Sequence, residues 1–276
     1  MLRQTLLLLA LVATVLGATL QVRRPPHTGP ARAFAVSRGR IYGGRDATKG
    51  EFPHQVSLQY VLLIIRYHSC GGSVISSNAV LTAAHCAISL GHYVAVAGDH
   101  DLGSDEGSEQ EVRVSDQIVH PDYPGGAVVA ANDIAVFLLE SSLTLNDYVQ
   151  AIALPSDGVV PEGGSTAVVS GWGTTETAST PDILQTVEVS VIDYDTCKQN
   201  LDDLGIGENP LTDTMVCTGP LYDGISTCSG DSGGPLVQNS ELIGVVSWGI
   251  TPCGSDGAPS VFTSVSAHLD FINQYI

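Results

Sequence analysis

Basic residues are scarce in this chain, and the shortage falls almost entirely after residue 40. The 276 residues include 11 Lys and Arg but 29 Asp and Glu, for a formal net charge of −18. Six of the eleven basic residues precede Ile41 and no acidic residue does, so the remainder carries 5 basic and 29 acidic residues, or −24. Such a surface repels phosphate backbones and anionic headgroups, so we expect neither nucleic acid nor membrane as a partner. The acidity serves either simple solubility or protection from trypsin-like enzymes in a digestive fluid such as the gut lumen.

The apolar run at the start of the chain is too short to cross a membrane. It extends over residues 6–16, whereas a membrane-spanning helix needs about 20 apolar residues. Arg3 precedes the run, and the small residues Gly17 and Ala18 follow it. This pattern indicates a secretory signal peptide over residues 1–18 and a secreted, extracellular protein.

The segment of residues 19–40 contains no acidic residue and is rich in Arg and Pro, which is typical of a disordered propeptide. An Asn-x-Ser/Thr acceptor is absent from the whole sequence, so we expect no N-glycosylation. Six cysteines in a secreted chain imply three disulfides, whose pairing the residues alone leave open.

Low charge and few aromatics accompany many turn-forming residues. Charged residues make up 14% and aromatic residues 6%, against 30 glycines and 14 prolines. Many short β-like runs separated by turn signals favour barrels or sandwiches, between which periodicity does not decide. The last residues, 266–276, show the spacing of a short amphipathic helix. We predict strands at 55–61, 80–83, 93–97, 111–119, 133–139, 166–170, 184–192, 235–238, 242–248 and 260–265.

Residues 227–235, which read Thr-Cys-Ser-Gly-Asp-Ser-Gly-Gly-Pro, form the most specific motif. A serine hydroxyl is a weak nucleophile unless a base removes its proton and donors stabilise the oxyanion that forms. Glycines around Ser232 let backbone N–H groups approach a carbonyl closely. The N–H groups of Gly230 and Ser232 are therefore candidate oxyanion donors, and Ser232 is the candidate nucleophile.

Two earlier motifs supply the partners that such a serine needs. His85 follows the apolar residues 81–84, and Asp133 stands at the head of an apolar run. The chain order is therefore His, Asp, Ser. Each residue alone has an ordinary structural explanation, but together they predict a nucleophile with its base and orienting acid.

With these motifs the chain resembles the chymotrypsin/trypsin-like serine protease family, from Ile41 to Ile276. The resemblance implies an all-β fold of two six-stranded antiparallel Greek-key β-barrels with a short C-terminal helix. It implies one protease domain over 41–276, with halves of roughly 41–155 and 156–276. It also selects the disulfides Cys70–Cys86, Cys197–Cys217 and Cys228–Cys253. The motifs that carry it are Thr82-Ala83-Ala84-His85-Cys86, Asp133-Ile134-Ala135, Gly171-Trp172-Gly173, Gly230-Asp231-Ser232-Gly233-Gly234-Pro235 and Ser247-Trp248-Gly249.

The resemblance also implies how the chain is activated. A trypsin-like protease would cut after Arg40, and the new amino group of Ile41 would pair with Asp231. A buried carboxylate without a cation is costly, so the uncut chain would hold the neighbouring oxyanion donor badly. Tyr42 stands where most family members have Val, but Ile41 is intact.

Three positions shape the substrate pocket in this family. Ser226, six residues before the nucleophile, would lie at its floor and offers no charge for a Lys or Arg. Gly249 would leave the mouth open, and Ser260 would narrow the pocket slightly. Ser247, Trp248 and Gly249 would bind the substrate backbone by strand addition. We predict chymotrypsin-like cleavage after large apolar residues, with a mixed, collagenase-like preference as the alternative.

The acidic stretch at residues 99–109 resembles the calcium loop of trypsins. Calcium prefers hard oxygen ligands, which would come from Asp99, Glu106 and Glu109 and from the carbonyls of Asp101 and Ser104. A solvated acidic loop is the alternative. Catalysis itself would need no cofactor.

The expected partners are protein or peptide substrates, the activating trypsin-like protease and protein protease inhibitors, with the enzyme a monomer. Two other functions share some of these residues. An inactive protease-like binding protein would usually lack a triad member, and this chain keeps all three. A carboxylesterase would match Gly-x-Ser-x-Gly at 230–234, but the His-Asp-Ser order and the cysteines favour the protease.

Overall fold

The structure is a computed structural model that describes residues 44–125, 129–175, 178, 180–205 and 207–276. The predicted signal peptide, the propeptide, Arg40 and Ile41 lie outside the described residues. Among the helices of the described part, none is long and apolar enough to cross a membrane.

The regular secondary structure of the described residues is mostly β-strand, as predicted. Two short 3₁₀ turns, Ala84–Cys86 and Ser266–His268, interrupt them. The strands are β1 Arg45–Asp46, β2 Gln55–Leu62, β3 Ile65–Ser76, β4 Ala79–Thr82, β5 His92–Ala97, β6 Gln110–Val119, β7 Ala135–Leu139, β8 Thr166–Gly171, β9 Gln185–Ile192, β10 Met215–Gly219, β11 Pro235–Gln238, β12 Glu241–Gly249 and β13 Ser260–Ser264, and the helices are α1 Tyr194–Asp203 and α2 Leu269–Ile272.

The first barrel closes in the order β2-β3-β4-β7-β6-β5, with antiparallel pairing. Alternate side chains point inward, and Leu58, Leu81 and Phe137 are fully buried there. The C-terminal helix α2 packs its buried residues Phe271 and Ile272 against this core. The helix therefore covers the first barrel although it follows the second in the chain.

The second barrel contains β9-β10-β13-β12-β11-β8 and closes through the β8–β9 pairing. The two-residue β1 adds to β9 at its edge. Val169, Leu236 and Phe262 lie fully buried in its core. The expected all-β fold of two six-stranded antiparallel barrels is confirmed.

Sequence patterns located ten strands within a few residues but missed β1, β3, β10 and α1. In β3 the pair Gly71-Gly72 looks like a turn, because glycine usually interrupts strands. A side chain at Gly72 would collide with Val80 of β4, so close packing between neighbouring strands requires glycine there. Helix α1 begins after Asp193, whose carboxylate caps the helix by accepting a hydrogen bond from Thr196 N at 2.9 Å.

Three disulfides join the described cysteines, and they are the pairs that the family resemblance implied: Cys70–Cys86, Cys197–Cys217 and Cys228–Cys253. The first bridge joins β3 to the turn that carries His85. The third joins the segment just before Ser232 to the loop that follows β12. Two of the three disulfides therefore brace the segments around the candidate site.

Candidate active site

The three predicted catalytic residues lie at ends of strands where the two barrels meet. His85 lies in the 3₁₀ turn after β4, Asp133 shortly before β7, and Ser232 in the turn before β11. Gly71 of β3 donates its N–H to the carbonyl of Ser232 at 2.8 Å, so the first barrel holds the turn of the second. The sulfur of Cys86, next to His85, lies 3.7 Å from the same carbonyl.

Asp133 and His85 form a close, well-oriented pair. The Nδ1 of His85 lies 2.7 Å from Asp133 Oδ2, and the backbone N–H of His85 donates to Oδ1 at 2.9 Å. Ser247 Oγ donates to Oδ2 at 2.6 Å. Asp133 is 4% exposed, whereas His85 is open to solvent. The carboxylate therefore accepts a hydrogen bond from Nδ1–H, which leaves the Nε2 lone pair of a neutral His85 available as a base.

The backbone of Asp133 is fixed by further hydrogen bonds that the sequence did not reveal. Thr263 Oγ1 of β13 donates to its carbonyl at 2.8 Å. The preceding Asn132 has a left-handed φ of 59°, which asparagine tolerates better than most residues. The amide oxygen of Asn132 lies 3.1 Å from Nε2 of His268, so residues near the C-terminus also support this turn.

Ser232 is presented by a turn that requires glycine beside it. Gly233 has a φ of +78°, and a side chain there would strike Thr82 and the carbonyl of Gly71. The hydroxyl of Ser232 and Nε2 of His85 form no hydrogen bond with each other in the described part of the chain. Such bonds are often long in substrate-free sites and shorten when substrate binds.

The N–H groups of Gly230 and Ser232 donate to no acceptor among the described residues, so both are free to bind an oxyanion. His68, which sequence reasoning missed, holds this turn from the first barrel. Its Nε2 donates to the carbonyl of Gly230 at 3.0 Å, and its Nδ1 accepts from Ser57 Oγ at 2.8 Å. Burial lowers the pKa of His68, which agrees with a neutral ring in this tautomer.

Asp231 is fully buried and accepts hydrogen bonds from the N–H groups of Gly173 and Cys228, each at 2.9 Å. No cation pairs with it among the described residues. Burial therefore raises the pKa of Asp231 to about 6. Gly171 and Gly173 line the space around the carboxylate, and a side chain at either would collide with it.

A cavity of about 150 Å³ opens beside Ser232. Its walls include Thr227, Val246, Ser247, Trp248 and Gly249, and no charged side chain lines it. Space around the α-carbon of Gly249 is open. The cavity also touches residues that sequence reasoning missed, namely Ile250 and Thr251.

Ser226, predicted at the pocket floor, and Ser260, predicted to narrow the pocket, are not among the residues that line this cavity. Ser226 is 9% exposed, and its hydroxyl accepts a hydrogen bond from Gly254 N at 2.8 Å. Ser260 is 4% exposed, and its hydroxyl accepts from Thr227 N at 3.0 Å. Both hydroxyls thus accept hydrogen bonds from backbone N–H groups.

The acidic loop gathers only part of the predicted calcium ligands. Asp99 Oδ1 and Glu109 Oε2 are buried without a hydrogen-bond partner, and burial together with the charge of Glu109 raises the pKa of Asp99 to about 6. Glu106 instead contacts His100 Nδ1 at 3.0 Å and Lys49 Nζ at 3.8 Å. The carboxylates of Asp99 and Glu109 therefore fit a cation, while that of Glu106 is engaged elsewhere.

The other two predicted ligands are backbone carbonyls. That of Asp101 accepts a hydrogen bond from Ser104 N at 3.0 Å, and the carboxylate of Asp101 binds Gly103 N and Ser104 Oγ. These bonds close a tight turn within the loop.

Comparison with known proteins agrees with this geometry. The family described as Trypsin matches residues 41–272. Trypsin-1 of Astacus astacus is 40% identical over 242 residues, which cover 84% of this chain and 98% of that protein. Chymotrypsin-like elastase family member 1 is 38% identical over 250 residues in Rattus norvegicus (88% of this chain, 92% of that protein) and 39% identical over 247 residues in Homo sapiens (87% and 93%). The chain therefore belongs to the trypsin family of serine endopeptidases, hydrolases that act on protein substrates, are inhibited by protein inhibitors and need no cofactor for catalysis.

Proposed function

We propose that this chain is a secreted serine endopeptidase that cleaves peptide bonds with His85, Asp133 and Ser232. The observation that carries the proposal is the buried Asp133 carboxylate, which fixes His85 through Nδ1 and the backbone N–H while Ser232 lies against the neighbouring turn.

The proposed reaction proceeds in two halves. Ser232 Oγ attacks the peptide carbonyl while its proton passes to Nε2 of His85, and the negative charge of Asp133 stabilises the imidazolium that forms. The imidazolium then protonates the leaving amine, which breaks the C–N bond and leaves an acyl-serine. A water molecule, deprotonated by His85 in turn, hydrolyses the ester.

The oxyanion of each tetrahedral intermediate would be bound by the N–H groups of Gly230 and Ser232. Both donors point from a turn that is held before substrate arrives, because His68 fixes the Gly230 carbonyl. Removal of one such donor costs roughly 100- to 1000-fold in rate in other proteases of this chemistry.

Asp231 provides the proposed activation switch. A buried carboxylate with two N–H donors and no cation among the described residues is a site for a positive charge. Cleavage after Arg40 by a trypsin-like protease would free the ammonium group of Ile41 to fill it. The ion pair between this ammonium group and Asp231 would then fix Asp231. It would also fix the proposed oxyanion donors, which are the N–H groups of the residues on either side of it.

The pocket supports chymotrypsin-like specificity. An uncharged cavity cannot compensate the buried charge of a substrate Lys or Arg. The open space at Gly249 admits large apolar side chains such as Phe, Tyr and Leu. A mixed, collagenase-like preference is the second candidate, because the hydroxyls of Ser226 and Ser260 add polarity beneath the pocket.

We further propose that the chain is made with a signal peptide and propeptide, acts outside the cell as a monomer, and serves digestion. The acidic surface supports this role, since few Lys or Arg residues remain for tryptic attack. A structural calcium ion would bind between Asp99 and Glu109, where it would compensate two buried carboxylate oxygens.

The first prediction concerns the nucleophile. Ser232→Ala should fold with an unchanged melting temperature, because the hydroxyl makes no hydrogen bond to His85 in the described part. Activity on a peptide anilide should fall by several orders of magnitude. Ser142→Ala, at an exposed serine that does not line the cavity beside Ser232, serves as the control and should retain most activity. Wild-type turnover by the Ser232 variant would refute the assignment.

The second prediction is that substitution of Asp231 changes the free energy of unfolding in opposite directions before and after cleavage. In the uncut chain the pKa of Asp231 in the folded protein lies above that of an ordinary carboxyl. Ionisation of Asp231 therefore lowers the free energy of unfolding as the pH rises from about 4 through 6, by up to ~3 kcal/mol. Asp231→Asn should therefore stabilise the uncut chain at pH 7. Since an amide accepts for only one of the two N–H groups, the gain should be about 1–2 kcal/mol. At pH 4 the gain should disappear.

In the chain cut after Arg40 the same substitution should destabilise and should lower kcat/KM at least 100-fold, because no carboxylate remains for the ammonium group. Urea unfolding in the Ser232→Ala background, which prevents self-digestion, measures both stabilities. The account fails if the substitution has the same effect before and after cleavage.

The third prediction concerns specificity. Among succinyl-Ala-Ala-Pro-X anilides, kcat/KM should be highest for Phe or Leu and lowest for Arg. Gly249→Val should reduce the Phe value at least tenfold with little loss for Ala, because the side chain would close the pocket mouth. An Arg substrate equal to Phe would contradict the assigned role of Ser226, and a wild-type preference for Ala would contradict that of Gly249.

The fourth prediction concerns calcium. Millimolar calcium should raise the melting temperature by a few degrees relative to chelator, since a ligand that binds only the folded state stabilises it. Asp99→Asn should abolish the difference. Asp105→Asn, an exposed residue of the same loop, should preserve it. An identical midpoint with and without calcium in the wild-type chain would indicate a merely solvated loop.

A further inference from the structure

The tip of the β2–β3 hairpin exposes aliphatic side chains to an unusual degree. Leu63 is 91% exposed, Ile64 99% and Ile65 58%, and we refer to these three residues as the aliphatic tip. The chain as a whole is strongly acidic, with a formal net charge of −18. Clustered exposed apolar residues on a soluble protein mark sites of interaction.

The tip also carries a local conformational cost. Leu63 has a φ of 55°, in the left-handed region where hairpin turns usually place Gly, Asn or Asp. A β-carbon in this conformation costs roughly 1–2 kcal/mol. A bulky leucine that gains no burial in return is better explained by a contact made outside the chain.

An open strand edge leads from the tip to the nucleophile. Over residues 65–70, β3 pairs with β2 alone, and its pairing with β4 begins at Ser73. No other strand of the described part covers that edge. At its inner end, Gly71 N donates to the carbonyl of Ser232 at 2.8 Å. The edge is therefore continuous with the active-site cleft.

The leaving-group side of the cleft faces this edge. The cavity lined by Ser247 to Gly249 would hold the substrate residue before the cleaved bond, so the amine that His85 protonates departs on the opposite side. There the Cys70–Cys86 disulfide ties β3 to the residue after His85. Tyr93 Oη strengthens the same corner by donating to the carbonyl of Cys86 at 2.9 Å.

We propose that the open edge of β3 and the aliphatic tip bind the part of a substrate polypeptide that follows the cleaved bond, and that the tip selects aliphatic side chains there. At ~3.3 Å per residue, the tip lies about 20 Å along β3 from Gly71, so an extended substrate reaches it at roughly the fifth to seventh residue after the bond. The proposal rests on the protease function above and names the substrates it prefers.

The charges around the tip favour an apolar occupant over a charged one. The three tip residues carry no charge, and the adjacent Arg66 is neutralised by Glu111, whose carboxylate it contacts at 2.7 and 3.0 Å. A second copy of the chain is a poorer fit, because three side chains at a hairpin end cover less than the ~800 Å² per partner of a stable interface.

The test compares substrates with and without residues after the cleaved bond. Two quenched fluorescent peptides share Ala-Ala-Pro-Phe before the bond and differ at the fifth to seventh residues after it, Val-Ile-Val in one and Ser-Asn-Ser in the other. Neither sequence adds a Phe, Tyr or Leu after which the enzyme is expected to cut. The succinyl-Ala-Ala-Pro-Phe anilide has no downstream residues. The enzyme is the cut chain as wild type, as Leu63→Ser/Ile64→Ser, and as Val160→Ser, which alters an aliphatic residue that is 82% exposed elsewhere.

Wild-type kcat/KM should be about tenfold higher for the aliphatic peptide, and the double variant should lose this preference while it cleaves the anilide normally. Val160→Ser should behave as wild type. Equal kcat/KM for the two peptides in the wild type would overturn the proposal. So would an equal loss on the anilide, or a wild-type dimer in gel filtration that the double variant dissociates. Absence of anilide cleavage by every form would instead refute the protease function itself.

Discussion

The candidate site depends on the hydrogen bonds to the carboxylate of Asp133, because these bonds join the two barrels beside the proposed catalytic residues. His85 of the first barrel binds both of its oxygens, Ser247 of the second barrel donates to one of them, and Thr263 of the second barrel holds its carbonyl. A carboxylate that is 4% exposed is tolerated only when such donors compensate its lost hydration. The same hydrogen bonds that compensate it also set the orientation of the base.

A second buried carboxylate, Asp231, is compensated less well. Two N–H groups bind it, yet burial still raises its pKa to about 6. The two acids therefore differ in their partners: His85 and Ser247 bind the side chain of Asp133, whereas within the described part of the chain only two backbone N–H groups bind that of Asp231. Because Asp231 lies between the two oxyanion donors, the proposed arrival of the Ile41 ammonium group would stabilise the whole turn. His68 supports the same turn from the first barrel, so its geometry depends on packing between the barrels.

Much of this could be predicted from the sequence, for physical reasons that differ by element. The strands around Phe137 and Phe262 follow from alternation and turn residues, and the proposed triad follows from short motifs with little freedom in their chemistry. Strand β3 was missed because Gly71 and Gly72 serve close backbone approach, which pattern rules interpret as a turn.

Contacts between distant segments were not predictable from local patterns. The role of His68 depends on a partner 162 residues away, and the support of Asp133 by Thr263 spans 130 residues. Ser226 was expected at the pocket floor, and the hydrogen bond that its hydroxyl accepts from Gly254 N, 28 residues along the chain, is not visible in any local pattern. Each of these outcomes depends on tertiary packing rather than on neighbours in the chain.

The most direct test of the central claim is labelling with a fluorophosphonate, which reacts only with an activated serine, before and after cleavage at Arg40. Mass spectrometry of digested protein would locate the label. The account predicts modification of Ser232 in the chain that begins at Ile41, and little in the uncut chain or after Asp133→Asn. Equal labelling of the uncut chain, or a label on another serine, would contradict it.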